Sequence, residues 1–132
     1  MPTVHHEISV ALTPETIWDA VRDVGALHTR LVPGFVTSTE MLEHVATPTR
    51  RVTFASGQIL DEAIVSVDDH HRRLVWSIRG VDPHNGAMQV FDDPGGARVT
   101  WTADVLPTAL ADQFSPLMAA GLQVMKRHLE SQ

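Results

Sequence analysis

Residues 114–129 read FSPLMAAGLQVMKRHL, and this stretch decides how the chain folds. Its apolar residues recur at offsets of 0, 3, 4, 7, 8, 11 and 15, which places them on one face of an α-helix. These residues are Phe114, Leu117, Met118, Gly121, Leu122, Met125 and Leu129. The basic residues 126–128 suit the negative end of the helix dipole. The stretch therefore predicts a long C-terminal helix that buries one face.

The sequence leaves two starting points open for this helix. Thr108 can cap it, in which case Pro116 kinks the helix. Alternatively, Ser115 caps a shorter helix and Pro116 takes the first helical position, where the missing N–H is not needed. The pattern alone does not choose between them.

The chain before this helix shows the two-residue period of β-strands. Residues 4–12 alternate apolar and polar side chains, which predicts a strand with one face in water. Turn-forming segments then divide six further strand candidates. The candidates are residues 35–44, 51–55, 58–67, 74–79, 87–91 and 98–106. Their short connections favour antiparallel hairpins, because parallel crossovers need about a dozen residues or more.

One or two short helices follow the first strand. Thr13 supplies a hydroxyl cap, Pro14 fits the first helical position, and Glu15 faces the positive end of the dipole. Gly25 ends this helix, and residues 28–32 form a second short helical piece. The order predicts an α+β fold in which a strongly curved antiparallel sheet packs its concave face on the C-terminal helix.

Length and composition are those of one ordinary domain. The chain has 132 residues without an internal repeat or long linker, so we expect a single domain over 1–132. The formal net charge of −6 and the lack of clustered Lys and Arg argue against nucleic acid as a partner. No apolar run reaches the roughly 18 residues of a membrane span, and the N-terminus lacks a signal peptide pattern. We therefore expect a cytoplasmic protein without membrane insertion, either a monomer or a homodimer.

Several kinds of site are absent from the sequence. It contains no cysteine, which excludes disulfides and cysteine nucleophiles. The eight histidines are scattered without the spacing of a metal site, so no metal is expected. There is no glycine-rich phosphate loop, and we expect no cofactor.

Four segments of the chain resemble a known superfamily. They are residues 8–18 (ISVALTPETIW), 57–69 (GQILDEAIVSVDD), 73–78 (RLVWSI) and 96–101 (GARVTW). In this order they resemble the START-like, or birch-pollen-allergen-like, helix-grip superfamily (SRPBCC), and within it the polyketide cyclase/dehydrase branch. The resemblance implies a seven-stranded sheet wrapped around the C-terminal helix. It also implies a cavity between them for lipids, polyketides or other apolar molecules.

Strand parity and this resemblance select residues for the wall of the cavity. Trp76 shares a strand face with Leu74 and Ile78, and Trp101 also points inward. The ligand-binding candidates are Leu60, Ile64, Trp76, Ile78, Trp101, Phe114, Met118, Gly121, Leu122 and Met125. Gly121 lies in the middle of the helix face, where it either permits close packing or leaves room for a ligand.

Glu62 is the first candidate for chemistry. The pattern of residues 58–67 does not decide which face of that strand is buried, but the resemblance favours the face of Glu62. In an apolar cavity this carboxylate would act as a general acid or base; alternatively, it is solvated or paired with an arginine. His28 and His84 are the other catalytic candidates, because both lie in loops expected at the cavity mouth. The inward face of residues 87–91 is undecided.

Three functions of different classes remain. The first is binding of an apolar small molecule, such as a lipid or polyketide, in the cavity. The second is a polyketide cyclase/dehydratase-like or isomerase reaction in which Glu62 and a histidine at the mouth transfer protons. The third is a protein-interaction module similar to the co-chaperone-like members of the superfamily. A cavity smaller than about 300 Å³, below the usual size of ligand pockets, would overturn the first two together.

Overall fold

The computed structural model describes residues 2–132, which form seven strands, two α-helices and two short helical turns. In chain order they are β1 (Thr3–Val10), α1 (Pro14–Val21), a 3₁₀ turn (Val24–Ala26), a π-helical turn (Leu27–Leu31), β2 (Val36–Met41), β3 (Thr49–Phe54), β4 (Ile59–Asp68), β5 (Arg73–Ile78), β6 (His84–Asp93), β7 (Gly96–Val105) and α2 (Thr108–Glu130). No helix in this part of the chain is long and apolar enough to cross a membrane.

All seven strands join one antiparallel sheet in the order β1-β7-β6-β5-β4-β3-β2. The strands from β2 to β7 pair with their neighbours in sequence, and β1 pairs with β7, so β1 and β2 form the two edges. The sheet is curved, and α2 packs against β1, β7 and the π-helical turn. This architecture confirms the predicted α+β helix-grip fold.

Helix α1 is capped as predicted and tied to the sheet by a tryptophan. Thr13 Oγ1 accepts a hydrogen bond from the Thr16 N–H at 3.3 Å, and Pro14 stands at the helix start. Trp18 donates its Nε1–H to the carboxylate of Asp69, in the turn after β4, at 2.9 Å. Since both ring and N–H are engaged within the protein, Trp18 serves the structure.

Helix α2 begins at the earlier of its two predicted starts. It runs from Thr108 through Pro116, and the residue at its N-cap position is Pro107, which makes no side-chain hydrogen bond. Thr108 is therefore the first helical residue and not the cap. A proline inside a helix lacks the N–H of the backbone ladder and crowds the preceding turn, so α2 is continuous but has one backbone hydrogen bond fewer at this point.

The predicted apolar face of α2 is buried along its second half. The buried members are Met118, Gly121, Leu122, Met125 and Leu129. Closer to the start of the helix this face is more exposed to solvent, and Leu117 is 51% exposed. The second half of α2 thus belongs to the core, whereas the first half contributes only Ala111 as a fully buried residue.

Among the strands that begin earlier than the sequence pattern predicts, β3 and β6 gain residues that belong to the site. β3 begins at Thr49 rather than residue 51, and β6 begins at His84 rather than residue 87. Asn85 and Gly86 have the composition of a turn, yet they lie within β6. Gly86 pairs with Trp76 on β5, and a Cβ added to it would lie 2.7 Å from Cε2 of the indole. The ring beside this strand therefore requires the glycine.

Two apolar clusters form the core, and Trp101 packs against both of them. The larger cluster joins α1, the sheet and the second half of α2. Its most completely buried apolar side chains are Ile17, Val21, Val36, Val52, Val90, Val99, Leu122 and Met125. The smaller cluster lies under the first half of α2. The region of Trp101 is thus where the two halves of the helix meet the sheet.

Gly86→Ala is expected to lower the free energy of unfolding by about 1–3 kcal/mol, as in other overpacked cores. The new methyl group would displace the Trp76 ring from its position beside β6. Urea unfolding followed by tryptophan fluorescence measures the change. Asn85→Ala, at the exposed neighbouring position, is the control and should shift the midpoint much less. An unchanged midpoint for Gly86→Ala would contradict this close packing.

Candidate functional site

A chamber of about 160 Å³ lies between the sheet and α2 and is partly open to solvent. Its wall is mainly apolar and comes from β3 to β7, from Phe35 before β2, and from the part of α2 around Pro116. The predicted site residues that line it are Leu60, Glu62, Trp76, Ile78, His84, Trp101, Phe114 and Met118. The face of β4 that carries Glu62 is thus the buried one.

A second chamber of about 60 Å³ shares part of this wall. The residues common to both chambers are Phe35, Phe54, Glu62, Trp76 and Trp101. Gly121 and Met125, which the sequence also selects, line only the second chamber. The site is therefore a pair of adjoining spaces separated by aromatic rings.

Both chambers are smaller than about 300 Å³, the lower end for drug-sized ligands, so their volume contradicts the expected cavity for a whole lipid or polyketide, whether as ligand or as substrate. The reason is that Trp76 and Trp101 fill much of the gap, with ring centroids 6.0 Å apart and ring planes at 54°. For scale, an apolar cavity of about 150 Å³ in another protein holds one benzene. The main chamber therefore has room for about one ring.

Three predicted site residues, Ile64, Leu122 and His28, line neither chamber. Ile64 has the expected inward direction but lies further along β4, and both it and Leu122 belong to the larger core cluster. His28 lies in the π-helical turn, where its Nδ1 is enclosed and has no hydrogen-bond partner among residues 2–132.

Gly121 permits close packing. A Cβ at this position would lie 3.2 Å from Cε2 of Phe35 and 3.2 Å from Cζ3 of Trp101. Such distances are below ordinary van der Waals contact between carbon atoms. Of the two interpretations left open by the sequence, the structure favours the packed one.

The sequence reasoning missed Arg50, Phe35 and Phe54. Arg50 and Phe54 share the buried face of β3 with Val52, a parity that becomes visible only when the strand begins at Thr49. Phe35 follows a proline–glycine turn and carries no periodic signal. Further lining residues not selected from the sequence are Ala55, Ser56, Gln58, Ala103 and Leu117.

Arg50 and Glu62 form a buried ion pair across β3 and β4. They face each other in the sheet register, and Arg50 Nε donates to Glu62 Oε1 at 2.8 Å. Only 4% and 8% of the two side chains is exposed. Arg50 Nη1 also donates to the carbonyl oxygen of Val24 at 3.3 Å. The guanidinium lies 5.6 Å from the centre of the Trp76 ring, within the range of a cation–π contact.

This pair governs the electrostatics of the site. Removing a single charge from water costs several kcal/mol, so each member depends on the other. Glu62 is thus an ion-paired carboxylate. Of the alternatives that the sequence leaves open for this residue, the structure shows the pairing with an arginine. Because the two charges compensate each other, the pair adds no net charge to the wall.

His84 lies at the start of β6 and is a buried, neutral imidazole. Its Nδ1 accepts a hydrogen bond from the backbone N–H of Ile78 at 3.0 Å. Burial lowers the pKa of the ring below its ordinary value, and the carboxylate of Asp104 offsets part of this change. Phe114 meets the ring edge-on, with centroids 6.0 Å apart. An imidazole held in this way can donate through Nε2 but has no free basic nitrogen.

No group of three or more His, Asp or Glu side chains within residues 2–132 is arranged to hold a metal ion. Glu62 and His84 both line the main chamber, and Glu62 is paired with Arg50. The side chains that line the chamber offer apolar contact, hydrogen bonding and proton transfer.

The fold is similar to several solved structures. Protein XoxI from Bacillus cereus has 18% sequence identity and a TM-score of 0.83, with 98% of this chain and 97% of that chain covered. A point mutant of norcoclaurine synthase from Thalictrum, in complex with a transition-state analogue, has 22% identity and a TM-score of 0.67, with 98% and 95% covered. Ara h 8.0201 has 14% identity and a TM-score of 0.72, with 99% of both chains covered. At these identities the similarity concerns the fold alone.

The sequence itself matches a protein family. No curated protein matches it. The profile of one family does match over residues 1–130, nearly the whole chain. This match includes all four segments that carried the resemblance to the SRPBCC superfamily. The chain therefore belongs to the polyketide cyclase / dehydrase and lipid transport family.

Proposed function

We propose that this protein binds an apolar small molecule in the main chamber between the sheet and α2. The observation that carries the proposal is the composition of the chamber wall. Two indole rings, phenyl rings and aliphatic side chains surround a space that is connected to solvent. Water forms few hydrogen bonds with such a wall. An apolar guest is favoured because it removes both its own apolar surface and that of the wall from contact with water. A family that includes lipid transport is consistent with this role.

The chamber volume narrows the class of ligand. A whole lipid or a long polyketide does not fit in about 160 Å³, whereas one ring with a small substituent does. Leu117 lines the chamber and is half-exposed, so it borders the opening. A larger molecule would therefore place only a ring or short arm inside, with the remainder beyond Leu117.

A proton-transfer enzyme is the second candidate, because Glu62 and His84 both line the main chamber. Glu62 Oε1 is engaged by Arg50, which leaves the other carboxylate oxygen for a substrate. His84 is a poor general base, since its Nδ1 already accepts the Ile78 N–H. In this alternative Glu62 would therefore move the proton. For a protein-interaction module we find no supporting observation in the chamber.

Leu117→Trp is expected to weaken binding of toluene, a one-ring probe, by about tenfold or more. The indole would reach across the opening from a half-exposed position, so the fold should tolerate it. Titration of toluene into ¹⁵N-labelled protein, followed by NMR of the indole N–H groups, measures the affinity. Val65→Trp, on the opposite face of the sheet at an exposed position, is the matched control and should bind like the native protein.

Two outcomes would contradict the proposed function. The first is that toluene shifts none of the resonances of Trp76, Trp101 or Phe114. The second is that Leu117→Trp and Val65→Trp change the affinity equally, which would place the probe outside the chamber.

Glu62→Gln is expected to lower the free energy of unfolding by about 3–5 kcal/mol, because Arg50 would remain charged and buried without its partner. The double variant Arg50→Met/Glu62→Leu should recover most of this loss, since both charges are removed together. Urea unfolding measures both.

Asp61→Asn is the control for this test. Asp61 pairs with Arg51 in the same two strands but at the surface, so its loss should be much smaller. A Glu62→Gln variant as stable as Asp61→Asn would show that the inner pair is not isolated from water. Turnover of a substrate by the stable double variant would exclude Glu62 from any mechanism.

A further inference from the structure

We propose that His84 orients the ligand by donating its Nε2–H to a carbonyl oxygen, so that the chamber selects an uncharged ring compound with a carbonyl substituent. This inference rests on the proposed function and names the chemical class of the ligand. It assigns His84 the role of a positioning hydrogen-bond donor and no part in proton transfer.

The tautomer of His84 follows from a backbone contact. The Ile78 N–H donates to Nδ1 at 3.0 Å, so Nδ1 carries no proton. A neutral imidazole then bears its single proton on Nε2. The neutral form is favoured because the ring is buried, with 9% of the residue exposed. His84 thus supplies a donor of known identity at the chamber wall, in addition to the indole N–H groups of Trp76 and Trp101, which line the same chamber.

The Nε2–H has no partner in the protein. None of the hydrogen bonds within residues 2–132 involves this atom. The enclosed side-chain atoms without a partner in the same residues are His28 Nδ1 and Thr39 Oγ1, so Nε2 of His84 is accessible. His84 lines the main chamber, which is where a guest would meet this atom.

The ring is also held in place on its other sides. Phe114 packs edge-on against it, and Ser77 Oγ donates to the backbone carbonyl of His84 at 3.1 Å. The pairing of β5 with β6 extends only to Trp76 and Gly86, so the imidazole takes the place of a strand acceptor for Ile78. A donor fixed in this way loses little entropy when a ligand accepts from it.

The charges around the chamber favour a carbonyl over an ion. A ligand carboxylate would need a cation, but Arg50 is neutralised by Glu62 and His84 is neutral. A ligand ammonium would have to compete with Arg50 for Glu62. An uncharged oxygen acceptor can accept from the Nε2–H of His84 and leaves both members of the Arg50–Glu62 ion pair undisturbed.

Acetophenone and α-methylstyrene test this inference, because they have nearly the same shape and differ in a C=O against a C=CH₂ group. The measured quantity is the ratio of their two dissociation constants in each protein. His84→Asn removes the donor at the Nε2 position while its side-chain oxygen can still accept the Ile78 N–H. We expect this variant to lose about tenfold in affinity for the ketone relative to the hydrocarbon, the value of one hydrogen bond.

Phe114→Leu is the matched control, since it changes the wall beside His84 without changing a hydrogen bond. It should weaken both probes alike and keep their ratio. If His84→Asn also leaves the ratio unchanged, the inference is overturned although binding in the chamber stands. If neither probe binds to the native protein, both the inference and the proposed function fail.

A second measurement covers the case in which His84→Asn does not fold. Long-range ¹H–¹⁵N NMR of the native imidazole should show Nδ1 unprotonated and Nε2 protonated. Acetophenone should shift the Nε2 resonance, and α-methylstyrene should leave it in place. Equal shifts by both probes, or a protonated Nδ1, would overturn the inference without any variant.

Discussion

The arrangement of the site depends on one constraint, namely that Arg50 and Glu62 cannot leave water without each other. Their hydrogen bond joins β3 to β4 at a single register, because a slip by one residue would turn one charge into the sheet without its partner. The guanidinium then lies near the Trp76 ring, and this ring in turn requires the absence of a side chain at Gly86. A polar contact thus sets the shape of an apolar chamber.

The periodicities of the chain predict the fold because they report burial directly. The apolar stripe of α2 and the alternation in β1 follow from one-sided packing, which any sheet and helix of this kind must satisfy. The site is less predictable, since it consists of residues that break these rules. The sequence pattern predicts a loop at His84 because Pro83, Asn85 and Gly86 surround it, although the Trp76 ring rather than a turn explains the glycine. The pattern does not reveal Arg50 as the partner of Glu62, because the predicted strand begins one residue after Arg50.

Hydrogen bonds to the backbone, in addition to the contacts between side chains, hold the polar groups of the site in place. Arg50 reaches the carbonyl oxygen of Val24, beside the π-helical turn, and His84 is held by the amide of Ile78. Their directions are therefore set before a ligand arrives, which favours selectivity for the placement of a polar atom within an otherwise apolar guest. The fold is shared with proteins of little sequence identity, so selectivity of this kind has to reside in such individual contacts.

Pro116 weakens the backbone of α2 where this helix passes over the chamber. Without an N–H at this residue, the carbonyl oxygen of Asp112 has no donor in the following turn, and the two halves of the helix are joined by one bond fewer. The second half is embedded in the core, whereas the first half carries Phe114 over the chamber and is tied to β1 by the contact between Ser115 Oγ and His6 Nε2 at 2.9 Å. Phe114 and Leu117, which lie on either side of Pro116, both line the chamber, so a guest there would contact α2 where its backbone ladder lacks one bond.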